Sequence, residues 1–149
     1  MKIKLVSYAL LIFALVIFSA CTKKKSFAGE FVGEASGLFE GNYPNAPVDA
    51  IEKNDGAIAV FKQDGDTVTT EVANSDILKN CKLTGKVNPN GKVYVSGSTC
   101  EAKLKGAKRS VYFSEGSVAI DEAGNNVTIE LLGLDTGERF KYKFQGKKK

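Results

Sequence analysis

Histidine and tryptophan do not occur in this 149-residue chain, and cysteine and proline occur three times each. Without histidine, the commonest general base and the commonest ligand of catalytic metals are missing. Three thiols are too few for a zinc or iron–sulfur centre once one of them has another task. The Ser, Tyr, Lys, Asp and Glu residues show no catalytic spacing, so the chain reads as a non-enzyme without cofactor or metal. A long apolar run is lacking too. The one mostly apolar stretch, Leu5 to Ala20, covers about 16 residues where a membrane-spanning helix needs roughly 20.

A basic domain is also missing. The formal charge of +4 comes from 21 basic and 17 acidic residues, but two lysines precede the apolar stretch, three form Lys23–Lys25 and three form Lys147–Lys149. Between Ser26 and Gly146, the 13 remaining basic residues face all 17 acidic ones, a net of −4. Nucleic-acid binding needs a basic face on the domain itself, so nucleic acid is excluded as a partner.

What the chain does have begins at its N-terminus. Lys2 and Lys4, the apolar stretch, then small Ser19 and Ala20 before Cys21 give the charged, apolar, small-residue order of a secretory signal with a helical apolar part. The ending resembles the lipobox of bacterial lipoproteins, with Phe18 where that family most often has Leu. The resemblance implies cleavage before Cys21 and two or three acyl chains on its thiol. Each buried methylene contributes about 0.8 kcal/mol, so one chain binds reversibly while two or more hold firmly. Residues 1–20 are therefore expected as a signal peptide and 21–25 as an acylated cysteine with a basic tether. Thr22, rather than Asp, follows the cysteine, which in the family's sorting logic implies the outer membrane, on its periplasmic or surface face.

Removing residues 1–20 leaves 129, the size of one domain. Residues 26–146 are expected as that domain and 147–149 as a basic tail, in a monomer. Two cysteines remain, Cys81 and Cys100. In an exported chain they either pair as a disulfide or stay as buried thiols, and pairing is the simpler reading. The bridge would close a loop of about 20 residues, contributing on the order of 3 kcal/mol.

From Ser26 onward, apolar residues alternate with period 2 between Gly and Asn/Asp punctuation. Ser26–Phe39 reads as a long first strand with Phe27, Phe31, Gly33 and Ala35 on one face. Glu40–Asp55 contains Pro44 and Pro47, neither of which can donate to a ladder, so it reads as a long loop. In the next hairpin, Ile58 and Val60 are taken as the inward set, and a bulged turn through Gly65 pairs Lys62 with Asp66. Ala73–Asn80 reads as a connector or single helical turn. Asn88-Pro89-Asn90-Gly91 has Pro at the second turn position and Gly at the left-handed one, setting Val87 against Val93 and Gly85 against Val95. Carried outward, this register places Cys81 opposite Thr99, so a bridge to Cys100 needs one irregularity, for which Gly97 is the candidate.

The last third reads as a meander. Val111 and Phe113 are expected opposite Ile120 and Val118 across Glu115-Gly116, and these opposite Val127 and Ile129 across Asp121–Asn126. Ile129 and Leu131 are then expected opposite Tyr142 and Phe140 across Gly133–Gly137. Lys108-Arg109 reads as solvated surface. The fold class is thus all-β: an antiparallel up-and-down barrel of about eight to nine strands, with a β-sandwich as the alternative. The aromatic first and last strands are expected to pair and close it.

Gly29-Glu30-Phe31-Val32-Gly33, the long loop after the first strand and the closing Phe140–Gly146 together resemble bacterial lipocalin-like lipoproteins, without the Gly-x-Trp signature of lipocalins. The resemblance implies that the loop covers the barrel mouth. As a lid or contact patch it would offer Phe39, Tyr43, Pro44 and Pro47 to a ligand; as a plug it would pack onto the barrel end. Asp64-Gly65-Asp66 and Asp121–Asn126 offer oxygen ligands, but turn chemistry explains both. The function expected is a membrane-anchored binding or interaction module, its partner a small apolar ligand or an envelope protein. The rivals are a periplasmic inhibitor of a lysozyme-like enzyme, for which Ser96–Cys100 lacks the needed aromatic, and a hydrolase.

Overall fold

A computed structural model describes residues 25–40, 52–95, 97–104, 107–136 and 138–149. The expected signal peptide, Cys21 and most of the expected tether lie outside the described residues, as does the segment 41–51 that carries Tyr43, Pro44 and Pro47. The described residues form ten strands: β1 (Gly29–Glu40), β2 (Glu52–Asp64), β3 (Thr67–Ala73), β4 (Leu78–Lys79), β5 (Cys81–Val87), β6 (Val93–Val95), β7 (Ser98–Leu104), β8 (Ala107–Ile120), β9 (Asn126–Asp135) and β10 (Glu138–Lys148). Eight of them close an antiparallel barrel in the order β1-β2-β3-β5-β6-β8-β9-β10, and β4 and β7 extend the wall beside β8. The first and last strands do pair, from Phe31 opposite Lys148 to Glu40 opposite Arg139. The barrel, rather than the sandwich, is the fold.

Period-2 alternation fixes which face is inside. Phe27, Phe31 and Ala35 point inward, as do Phe140, Tyr142 and Phe144 from β10. The Asn88–Gly91 hairpin has the expected register: Val87 lies opposite Val93, Gly85 opposite Val95, and Gly91 has φ 72°. Val118 opposite Ile129 and Ile120 opposite Val127 are likewise as expected.

Several readings are corrected. In β2 the inward residues are Ala57, Ala59 and Phe61, not Ile58 and Val60. Ala59 lies opposite Phe31, whose ring meets Phe61 edge-on at 5.4 Å. Those rings fill the interior there and leave room only for methyl groups, while Ile58 and Val60 suit the outer, half-buried wall. The turn is accordingly the two residues Gly65-Asp66, with Asp64 opposite Thr67 and positive φ at Gly65. Glu52–Asp55, expected as loop, extends β2 past a bulge at Gly56 (φ 75°).

Glu115-Gly116 is no turn. β8 runs straight through it, pairing Val111 with Cys100 and Val118 with Val93. A Cβ on Gly116 would come within 2.5 Å of Leu131 and Val95, so glycine here permits close packing. Leu131 lies opposite Tyr142 and Ile129 opposite Phe144, two residues from the expected register, because β9 continues to Asp135. Gly133 is again a packing position, against Val111 and Phe113. The connector after β3 is not helical. Ser75 Oγ accepts from the Ile77 and Leu78 amides (3.3 and 3.2 Å), and both of these side chains are buried. The closing lysines are not a tail: Lys147 and Lys148 lie in β10 opposite Val32 and Phe31.

Cys81 and Cys100 form a disulfide with Cα atoms 4.7 Å apart. It crosses a seam in the wall. Lys79 opposite Glu101 and Gly85 opposite Val95 share one register, yet the ladder between them is interrupted. Asn80 (φ 51°) and Gly97 (φ 73°) each insert a kink, one per strand, so the register is the same on both sides. The kink at Gly97 changes the inward set from Val93 and Val95 to Cys100 and Ala102, and the kink at Asn80 changes it from Leu78 to Cys81 and Leu83, so both cysteines lie on the inner face. All described strands, the core and the disulfide lie between Phe27 and Lys149. The barrel therefore closes on itself without the residues before it.

Candidate functional site

Of the expected ligand-contacting residues, Phe39 alone falls among those described. It is the penultimate residue of β1, opposite Phe140, with ring centroids 4.7 Å apart. The Arg109 guanidinium lies over the Phe39 ring, 4.8 Å from its centroid, and ion-pairs with Glu138 and, at 3.8 Å, with Asp135. Arg109 is thus a clasp at the barrel end rather than solvated surface, whereas Lys108 makes an exposed pair with Glu101 at 3.6 Å. Glu138, a buried carboxylate, has its charge met by this arginine. Phe39 packs against the core, and Ile77, from the connector after β3, is buried at the same end. A Cβ on Gly37 would run into Ile77 and Phe140. Phe39 therefore helps to plug the barrel.

The interior is filled by Phe27, Phe31, Phe61, Phe113, Phe140 and Phe144 with smaller aliphatic residues between them, all nearly inaccessible. Thr70 and Tyr142 add polar groups among them. Tyr142 is 2% exposed, and its hydroxyl makes no hydrogen bond among the described residues. Burial pushes its phenol above the ordinary range, opposed slightly by the neighbouring Ser75 hydroxyl.

The outer wall differs. A cleft of about 780 Å³ crosses the neighbouring strands β1, β10, β9, β8 and β6, with no lining residue from β2, β3 or β5, so it is not the lumen. Outward residues of these strands form rows. Leu38 lies opposite Lys141, which lies opposite Leu132, which lies opposite Glu115. Tyr94 lies opposite Ser117, and Tyr112 opposite Leu134. Tyr94 is 58% exposed, and Tyr112 and Leu134 are each 49% exposed. Charges surround them: Lys143 pairs with Glu130 at 3.2 Å and Lys141 with Glu40. The result is a wall on which exposed aromatic and aliphatic side chains alternate with charged ones, able to bury against a partner surface.

The sequence reading places the candidate contacts on the loop after β1 and does not single out these wall residues. The signal was there: Tyr94 and Tyr112 are large aromatics at outward positions, each between two inward apolar residues.

The Asp121 turn holds its own carboxylate. Oδ1 accepts from the Asn125 amide at 2.8 Å and Oδ2 from the Asn126 side chain, which keeps Asp121 below its ordinary pKa of 3.8. No group of three or more potential metal ligands occurs among the described residues. Comparison of the chain with family models, curated proteins and solved structures gives no match.

Proposed function

We propose that the chain is an exported lipoprotein, held at a membrane by acylated Cys21, whose barrel is a non-enzymatic module for contact with a folded envelope protein. The observation that supports this reading is the outer-wall band of Tyr94, Tyr112, Leu132 and Leu134 on a barrel whose interior is already full. A filled lumen favours a protein partner over a small apolar ligand, since such a ligand needs a cavity to surround it. Large exposed aromatics such as Tyr94 and Tyr112 are of the type enriched at interface centres.

A photo-crosslinking amino acid placed at Tyr94 or Tyr112 in the exported protein tests the reading. A discrete protein adduct from both wall positions is expected, with none from Lys82, an exposed position on β5. Adducts from all three positions alike, or from none, would overturn it.

A further inference from the structure

The barrel's pairings gather one rim. Phe31 lies opposite Lys148, the Lys149 amide donates to Glu30 O at 2.9 Å, and the Lys148 amide donates to Asn125 O at 2.7 Å. The Phe27 amide donates to Gln63 Oε1 at 2.9 Å, and the Val87 amide to Asp66 O at 2.8 Å. The strand start after the tether, the last residues of β10 and the β2–β3, β5–β6 and β8–β9 turns therefore share one end.

The charge of that end differs from the rest of the domain. Its β1–β10 corner carries exposed Lys25, Lys147, Lys148 and Lys149 against Glu30, which pairs with Lys149 at 3.0 Å. The β5–β6 turn adds Lys86 and Lys92 without a carboxylate, the β2–β3 turn sets Lys62 against Asp64 and Asp66, and the β8–β9 turn adds Asp121 and Glu122. Seven lysines face five carboxylates, a net of +2, where Lys25–Lys149 as a whole has 17 basic and 17 acidic residues and is neutral, so the remainder is −2. Lys23 and Lys24 precede this rim directly in the sequence. From Cys21 to Phe27 the chain spans at most about 20 Å at roughly 3.3–3.6 Å per residue. Phe27 is buried, so the span ends at a fixed point on the rim.

We infer that this rim docks on anionic phospholipid headgroups, so that the barrel stands end-on at the membrane and turns its clasped end, with Arg109 and Glu138, away from it. The inference builds on the reading that Cys21 sits in a membrane. Within a Debye length of about 8 Å the lysines reach the negative surface. The outer-wall band is then left upright and lateral, facing other proteins at the same surface.

The test uses a chain beginning at Thr22, which retains every described strand. It therefore succeeds or fails independently of acylation, which the intact mass of the exported protein decides. Co-sedimentation with vesicles of equal parts phosphatidylglycerol and phosphatidylcholine should show binding at low salt that is lost at high salt and absent on phosphatidylcholine alone. Each lysine near an anionic surface is worth roughly 5-fold in binding, so Lys147→Gln, Lys148→Gln and Lys149→Gln together should lower the partition coefficient about 10- to 100-fold. Lys79→Gln with Lys108→Gln, at the far rim, should leave it unchanged. If the β10 triple variant does not fold, Lys23→Gln, Lys24→Gln and Lys25→Gln take its place, since these precede the first strand, and should give a loss of similar size. Absence of binding, equal binding to both vesicles, or variants that bind like the parent chain would each overturn the inference.

Discussion

Tyr142→Phe is expected to stabilise this protein. The side chain points into the barrel from β10, opposite Gly37 on one side and Leu131 on the other, and is 2% exposed. Its ring belongs to the core, but its hydroxyl leaves water without gaining a hydrogen bond. Burying a hydroxyl in this way costs about 1–3 kcal/mol. Removing the oxygen keeps the ring contacts and leaves a gap smaller than a methyl group, which takes back part of the gain. A net stabilisation of about 1 kcal/mol remains. For a domain of this size that is a rise of roughly 3–6 °C in Tm, measured by circular dichroism on the disulfide-intact protein. The pH dependence provides a second readout. The folded-state pKa of this phenol lies above the unfolded value near 10, so folding keeps the proton that the unfolded chain releases. The tyrosine's contribution is therefore constant below about pH 10, and stability is lost as pH rises beyond it. The variant's advantage should widen above pH 10 and stay flat below. A variant less stable than the parent at neutral pH would refute the reasoning, because the hydroxyl would then have a partner, with Ser75 the first to examine.

Four further outcomes are expected. Cys21→Ala should abolish metabolic fatty-acid labelling and detergent-phase partitioning; palmitate labelling of the variant would refute the anchor. Reducing Cys81–Cys100, whose residues are 19 apart in sequence, should lower stability by about 3 kcal/mol in urea unfolding, and non-reducing mass spectrometry should find no free thiol on either residue. Gly33→Ala should cost more than about 2 kcal/mol, since the new Cβ would overlap backbone of Gln145 and Gly146 where β1 closes on β10; an unchanged urea midpoint would contradict that register. Asp121 has a folded pKa below its unfolded value, so its turn gains stability above the unfolded pKa and loses it as pH falls through the folded one. Amide exchange at Asn125, followed by NMR from neutral pH into the acid range, should accelerate relative to the core only at the acid end.

Legibility in the sequence followed the kind of signal. Asn88–Gly91 could be read to the residue because Pro and Gly at those turn positions admit one geometry, and Gly91 adopts it. Closure of the barrel was legible because both terminal strands carry aromatics that need cover on one face. Gly116 and Gly133 misled for the opposite reason. Glycine marks a turn in a sequence, but here it makes room for Leu131, Val95, Val111 and Phe113 across the sheet, a demand visible only once the partner strand is known. Ala57 and Ala59 misled likewise: ranking by hydrophobicity prefers Ile58 and Val60, while the space left by Phe31 and Phe61 decides for alanine. Of the site, Phe39 was located but its role as a plug depended on Arg109, 70 residues away in the chain and reachable only through the fold.

The double pairing of β1 also sets how the molecule bears load. If the chain is held through the residues before Phe27 and a partner pulls on the far wall, tension enters at one end of a strand bonded to β2 along one edge and to β10 along the other. The pull runs along the strand rather than across it. Its hydrogen bonds are then strained side by side and must yield together, where a strand peeled from its end would release them one at a time. A barrel attached at this point resists extraction through shear, with its two longest-range ladders acting as the grip.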